Sequence, residues 1–381
     1  MLSKFLRHGA GWALCLLGAI NASAEHQWTL KPGTPELQSA GQLAFAPDGI
    51  LLVGDNRAAA IWALDTGEVD NTAGKAAAAP RAAQSALPPT LKIEDLTAVL
   101  ARELKLEQPL AINDLAVSPV TGQVYLSVAS GEKALPAIVR IGAAGLPELV
   151  ELQNIPHLRA SLPNPPEDKI VGEGRRAKNR RNEAITDLAY VDGKVLVAGM
   201  TSNPAPSQVL EFPFPFAPTE GGTTIEIYHA AHGKVEDHAA IRTFVPLTID
   251  GEPTILAGFT CTPLVRLPIK GLEEGKKLRG TTVAELGNWN VPLDLISYEK
   301  DQRPCLLLAN SARGVMKISL EDIGRAEGLS EHVRDGGTAG QSFEKIPALE
   351  GTVQLDKINN THGVVIRKAG EQLNLEVVPL P

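Results

Sequence analysis

The sequence predicts an all-β protein: a single β-propeller of six blades, carrying a short helical insert and preceded by an export signal. Three observations predict it. A unit of three strands recurs six times, the second strand of each unit is an unbroken apolar run, and turn formers (Gly 35, Pro 28) are plentiful while aromatics make up 4%.

The six copies read QLAFAPDGILLVGDNRAAAIWALD (42–65), INDLAVSPVTGQVYLSVASGEKALPAIVRI (112–141), ITDLAYVDGKVLVAGMTSNPAPSQVLEF (185–212), IRTFVPLTIDGEPTILAGFTCTPLVRLPI (241–269), VPLDLISYEKDQRPCLLLANSARGVMKISL (291–320) and VQLDKINNTHGVVIRKAGEQLNLEVVPL (353–380). Leu43, Leu115, Leu188, Phe244, Leu295 and Leu355 are equivalent points, 51 to 73 residues apart. A four-stranded blade needs about 40–50 residues, so the longer steps carry inserts. The second strands ILLVG, VYLSV, VLVAG, TILAG, CLLLA and GVVIR lack the alternation of a half-exposed strand, which marks burial on both faces. Asp48-Gly49, Asp192-Gly193 and Asp250-Gly251 supply tight turns between first and second strands. No unit buries its own faces, and stacking units in a ring does so. Seven blades is the alternative, if 66–111 or 145–184 conceals a further copy; neither shows a three-strand pattern. Residues 26–30, HQWTL, are expected to add a strand to the last blade and close the ring.

Residues 1–24 have the three parts of a secretory signal: Lys4, Arg7 and His8, the apolar run 11–20, and Ala22-Ser23-Ala24 before the expected cleavage. Ten apolar residues fall short of the roughly 20 that span a bilayer. No later segment has 18 uncharged apolar residues. The expectation is a periplasmic or secreted protein that is not transmembrane, with residues 25–381 as the propeller domain. The net charge of −8 argues against nucleic acid as a partner. Cys15 leaves with the signal. Cys261 and Cys305 fall at opposite ends of adjacent strands, too far apart for the bridge an oxidising compartment permits.

The inserts differ in kind. Residues 70–90 are Ala/Pro-rich and read as a loop, whereas 93–105 set Leu96, Val99, Leu100 and Leu104 on one helical face. Residues 161–184 hold Arg175, Arg176, Lys178, Arg180 and Arg181, a candidate dock for an anionic partner; the plainer reading is a solvated loop.

In a propeller the first strand of each blade lines the central channel. Loops entering it share a face with loops leaving the second strand, and loops on a rigid scaffold are where binding residues collect. This selects Asn113, Asp114, Thr186, Asp187, Arg242, Asp294 and Asp356 from strand entries. From the turns it selects Asp55, Asn56, Arg57, Ser130, Ser202, Asn203, Thr260, Asn310, Ser311 and Arg313. Asp and Asn at such places also cap turns through their own backbone. Convergent carboxylates and amides suit one hard divalent cation, Ca²⁺ rather than Zn²⁺.

The segment INDLAVSPVTGQVYLS (112–127) resembles the Asn-Asp-hydrophobic entry and P-x-T-G-x-V-Y hairpin of six-bladed propellers of the gluconolactonase and strictosidine-synthase-like group, and more loosely NHL-type propellers. The resemblance implies a channel cation held by a first-blade Glu and by Asn and Asp of later blades, with Asn113, Asp187 and Asp294 at comparable entries. The Glu is absent, its place reading Ser39-Ala40-Gly41-Gln42. In that reading the cation polarises a lactone or ester carbonyl, and Asp187 or Asp294 is ligand or base.

YHAAHGKVEDH (228–238) offers His229, His232 and His238 beside Glu236 and Asp237, residue types that suit Zn or Cu. Spacing alone is non-specific, Gly233 favours a loop over a helix, and an exposed polar loop is the plainer reading. His362 lies in a hairpin turn. No haem-attachment, phosphate-loop, nucleophile-elbow or dinucleotide motif occurs, so neither haem nor nucleotide is expected. The expected function is an exported binding protein whose channel mouth recognises a small polar ligand or a partner's loop. The alternative is the metal-dependent hydrolase.

Overall fold

The computed structural model describes residues 28–68, 87–174, 177–261 and 263–381; the proposed signal, most of the Ala/Pro-rich loop, Arg175 and Arg176 lie outside the described residues. Six blades form one β-propeller, each built outward from its innermost strand by antiparallel pairing, with Lys277–Arg279 added parallel to Thr223–His229 in blade 3. In chain order the innermost strands are Leu43–Phe45, Leu110–Val117, Asp187–Val191, Ile241–Ile249, Pro292–Lys300 and Thr352–Lys357, and these define blades 1 to 6.

The six equivalent points of the repeat, Leu43, Leu115, Leu188, Phe244, Leu295 and Leu355, are all buried. Each pairs with the middle of its blade's second strand: Val53, Leu126, Val197, Ala257, Leu308 and Val365.

The blades do not follow one another around the ring in chain order, as a head-to-tail reading requires. The alternate residues of Ile50–Asp55 show this directly. Ile50 and Leu52 pack with Ile185, Val195 and Phe212 of blade 3. Leu51 and Val53 pack with Tyr125 and Ile138 of blade 2. The next interfaces join blades 3 and 4, 4 and 5, and 5 and 6. The last joins blade 6 to blade 2 through Val364, Ile366, Val124 and Leu126. The order around the ring is therefore 2, 1, 3, 4, 5, 6. Both faces of every second strand are covered, which accounts for the unbroken apolar runs, and each fully buried Leu or Ile contributes about 2 kcal/mol.

The inserts build this order. After blade 1 the chain lays Lys92–Ile93 beside Gln372–Pro379 as the outer strand of blade 6. Helix α1, Leu96–Leu104, follows, shorter than predicted. Its buried Leu96 and Leu100 pack against Leu115 and Leu126 of blade 2 and Leu375 of blade 6. After blade 2 the chain returns to blade 1 as Ile155–Ser161, paired with Ala60–Asp65. Strand Lys31–Gly33 adds to that edge of blade 1; of the HQWTL segment expected on the last blade, 28–30 form no strand and His26 and Gln27 lie outside the described residues. Cys261 and Cys305 are unbridged. No helix among the described residues is long and apolar enough to cross a membrane.

Candidate functional site: the channel mouth

A cavity of about 430 Å³ occupies the axis, lined by all six innermost strands. In blades 2, 4, 5 and 6 the strand pairing slips by one residue just before the aligned apolar residue. Such a bulge re-aims a side chain. The extra residues are Asn113, Arg242, Leu293 and Val353, and all four line the cavity.

The bulges also settle which residues are equivalent. The residue before each aligned apolar position, taken around the ring, is Asp114, Gln42, Asp187, Thr243, Asp294 and Gln354. Three aspartates thus come from alternate blades, with neutral side chains between them. All six line the cavity.

Each aspartate bridges two blades. Asp114 Oδ2 accepts the Leu43 N–H at 2.7 Å, Asp187 Oδ2 that of Phe244 at 2.6 Å, and Asp294 Oδ2 that of Leu355 at 2.8 Å. In Asp187 and Asp294 the other oxygen accepts the N–H of the following residue. Asp356, one position further along, clips Val117 of blade 2 in the same way. The side chains remain partly accessible from the channel, yet protein surrounds them. Burial raises Asp114 to about 8, and the charges of Asp187 and Asp356 add to this. Burial raises Asp187 to about 7 and Asp356 to about 6. Burial, then the charge of Asp114, holds Asp294 well above the usual carboxylate range. Near neutral pH the ring therefore carries protons as well as charge.

Asp187 and Asp294 each accept two backbone N–H groups, and the Asn113 Nδ2 donates to Ala40 O at 2.7 Å. Among the described residues, three metal-ligating side chains with donor atoms within 4.8 Å of one another occur elsewhere, in the hairpin 223–236. Three lining residues carry polar atoms with no protein partner. Gln42 Oε1, Gln354 Oε1 and Arg242 Nε are buried without a protein partner. Buried polar groups are normally satisfied, and these three atoms expose almost no surface to the channel itself. Arg242 Nη1 lies 3.5 Å from Glu183, whose other oxygen pairs with Lys178.

The turn residues take another role. Asn56 makes a reciprocal pair with the backbone of Ile185, tying blade 1 to the entry of blade 3. Asp55 accepts from Gln38, Ser39 and Ala58. Asn310 caps its own turn at Ala312 and Arg313, and its amide donates to Asn290. Ser130 and Ser202 donate to the carbonyls of Glu107 and Asn164, and Ser311 accepts from Val291. Thr260 and Asn203 are held through their backbone amides. Arg57 donates to Lys133 O, and Arg313 approaches Asn288 O at 3.4 Å. Asn56, Arg57, Asn310 and Arg313 are thus on the expected face but outside the cavity lining, and their polar atoms seal loops. Replacing Asn56 with alanine leaves both Ile185 groups without their partner and is expected to cost about 2 kcal/mol in denaturant unfolding; a change below about 0.5 would remove this tie between blades.

In the basic insert, Arg181 donates to the carbonyls of Pro166 and Arg57, and Lys178 pairs with Glu183. Two of its cations are therefore engaged within the molecule. Sequence reasoning missed Trp289, 88% exposed on the loop entering blade 5. Its signal was an isolated aromatic between Gly287 and Pro292 in an aromatic-poor chain.

No family model matches the chain, and no curated protein does. Solved structures align along most of its length at low similarity. A glucose dehydrogenase is 14% identical with TM-score 0.36, the alignment covering 93% of this chain and 98% of that one. A putative oxidoreductase (glucose dehydrogenase) from Thermus thermophilus is 14% identical with TM-score 0.34, covering 92% and 99%. The PQQ-bound aldose sugar dehydrogenase of Streptomyces coelicolor is 12% identical with TM-score 0.27, covering 91% and 96%. Neither their cofactor nor their substrates are carried to this chain, and none of the three singles out the gluconolactonase group.

Proposed function

We propose that this is an exported binding protein whose channel mouth takes a small polar molecule or the polar loop of a partner. One observation carries the reading: an axial cavity of about 430 Å³ lined by three aspartates together with Gln42, Gln354 and Arg242. Together these groups accept and donate hydrogen bonds, and the mixed protonation of the ring favours a hydroxylated or amine-bearing ligand over a simple anion. Among the described residues, the cavity lining holds no His, Cys or Lys to activate a nucleophile, which favours binding over covalent chemistry. The N-terminal pattern supports export.

The test is calorimetric titration and thermal shift of residues 25–381 against neutral sugars, sugar lactones, amino acids and polyamines. At least one class should raise the melting temperature, and Arg242→Ala should weaken its binding about tenfold, the loss of one charged hydrogen bond. No stabilisation by any class, or unchanged binding in Arg242→Ala, would count decisively against the mouth as a binding site.

The second reading is lactone or ester hydrolysis assisted by a channel cation. It is favoured by the mutual repulsion of Asp114, Asp187 and Asp294, which a divalent ion would relieve. Ca²⁺-dependent turnover of a lactone, lost in Asp187→Asn protein that remains folded, would select it over simple binding.

A further inference from the structure

We infer that the outer hairpin of blade 3 is a binding site for one divalent transition-metal ion of the Zn²⁺ class, held by His229, His232 and Glu236. The site is separate from the channel. Strands Thr223–His229 and Lys234–Glu236 pair antiparallel, with Ile227 opposite Glu236 and Tyr228 opposite Val235. His229 lies two residues beyond Ile227, so its side chain shares a face with Glu236. A 3₁₀ turn, Ala230–His232, then brings His232 back over the same face, and Gly233 closes the turn at φ 65°. Buried Glu285 accepts the Ala231 N–H at 3.1 Å and pins that turn from blade 4. The segment is therefore a β-hairpin whose His229 and Glu236 are buried while its turn residues His232, Gly233 and Lys234 stay exposed, where the sequence favours an exposed loop throughout.

The donor atoms converge. His229 Nδ1 stands 2.9 Å from one Glu236 oxygen and His232 Nδ1 2.8 Å from the other. The two imidazoles stack with centroids 3.9 Å apart, and one ligand atom from each of the three residues lies within 4.8 Å of the others. Ligands on a tetrahedral Zn²⁺ stand about 3.3 Å apart, so the two His–Glu pairs need to open by only about half an ångström, and the two imidazole donors already lie within 4.8 Å of each other. His238 Nε2, 4.0 Å from the same carboxylate, is placed to give a fourth ligand. Two imidazoles with one carboxylate suit Zn²⁺ and its neighbours, not Ca²⁺ or Mg²⁺.

Two of the three ligands are shielded from water. The Glu236 side chain is 3% exposed and that of His229 2%, and His229 Nε2 is buried without a partner. Lys234 Nζ, 3.3 Å from Glu236, is the nearby cation, and its side chain is 62% exposed and free to withdraw when an ion arrives. Each neutral imidazole coordinates through one nitrogen and keeps its proton on the other, so binding needs no net deprotonation of the rings.

The experiment is titration of untagged residues 25–381 with Zn²⁺, read by calorimetry and by metal content after dialysis, with Co²⁺ as an absorbing probe. Expected are about one equivalent bound, visible Co²⁺ absorption of a low-coordinate site, and no competition by Ca²⁺. His232 is exposed, so His232→Ala should fold normally and weaken binding at least tenfold, and Glu236→Gln similarly. Asp187→Asn should bind Zn²⁺ unchanged, which separates this site from the channel. No stoichiometric Zn²⁺, or unchanged affinity in His232→Ala, would overturn the assignment.

Discussion

Replacing Asp294 with alanine is expected to destabilise the fold by about 3 kcal/mol, and Asp187→Ala by a similar amount. Each carboxylate serves two backbone amides, one in its own strand and one in the next blade. Truncation leaves both donors facing the channel, and an unsatisfied buried donor costs about 1–3 kcal/mol. Water entering the vacated space offsets part of this, which sets the figure below the sum. Urea unfolding measures it; a loss under about 1 kcal/mol in both variants would mean the aspartates do not hold the blades together.

The same residues give the stability a defined dependence on pH. Asp187 titrates at about 7 in the folded protein, against about 3.9 in an unfolded chain. The folded state therefore binds more protons between those values. Its contribution is fully present below about 4 and is lost as pH rises through 7. Asp114, at about 8, extends the loss upward. His229 has the opposite sign, since burial lowers it and its cost appears as pH falls below the usual histidine range. The informative quantity is thus the difference between wild type and Asp187→Ala. That difference should be largest near pH 4 and shrink toward pH 8, and a constant difference would refute the raised carboxyl.

Leu100→Ala should cost about 3 kcal/mol, as large-to-small changes at fully buried leucines do. Leu100 is fully buried and sits where α1 meets blades 2 and 6. The helix has an Asp95 cap at Ala98, but nine residues have little helical stability of their own, so packing supplies most of it. Since domains are stable by about 5–15 kcal/mol, the loss should shift the denaturation midpoint clearly. A change below 1 kcal/mol would show that α1 rests on the ring without sealing it.

The blades were readable from the sequence because a strand sandwiched between two neighbours must be apolar on both faces. VLVAG at 195–199 carries that constraint on every residue. The ring order was not readable, because it is set by outer strands with no chemical mark of their own. Lys92–Ile93 is two residues long, and IPHLRAS reads as ordinary loop or edge. The cavity residues Asn113, Asp114, Thr186, Asp187, Arg242, Asp294 and Asp356 were found through the entry pattern. The turn residues Asn56, Asn310 and Arg313 were not separable from them, since capping a turn and contacting a ligand use the same side chains. Taking Asn113 as the partner of Asp187 and Asp294 missed the bulge. Counting back one residue from each aligned apolar position would have given Asp114.

The placement of blade 2 between blades 6 and 1 governs when the molecule can finish assembling. Val124 and Leu126 find their counterparts, Val364 and Ile366, more than two hundred residues later in the chain. During synthesis that apolar flank must wait for nearly the whole polypeptide to emerge. Contacts so distant along the chain slow folding and leave sticky intermediates. A truncation ending before Thr352 should therefore associate or aggregate through blade 2, whereas an equal loss at a free edge would be better tolerated.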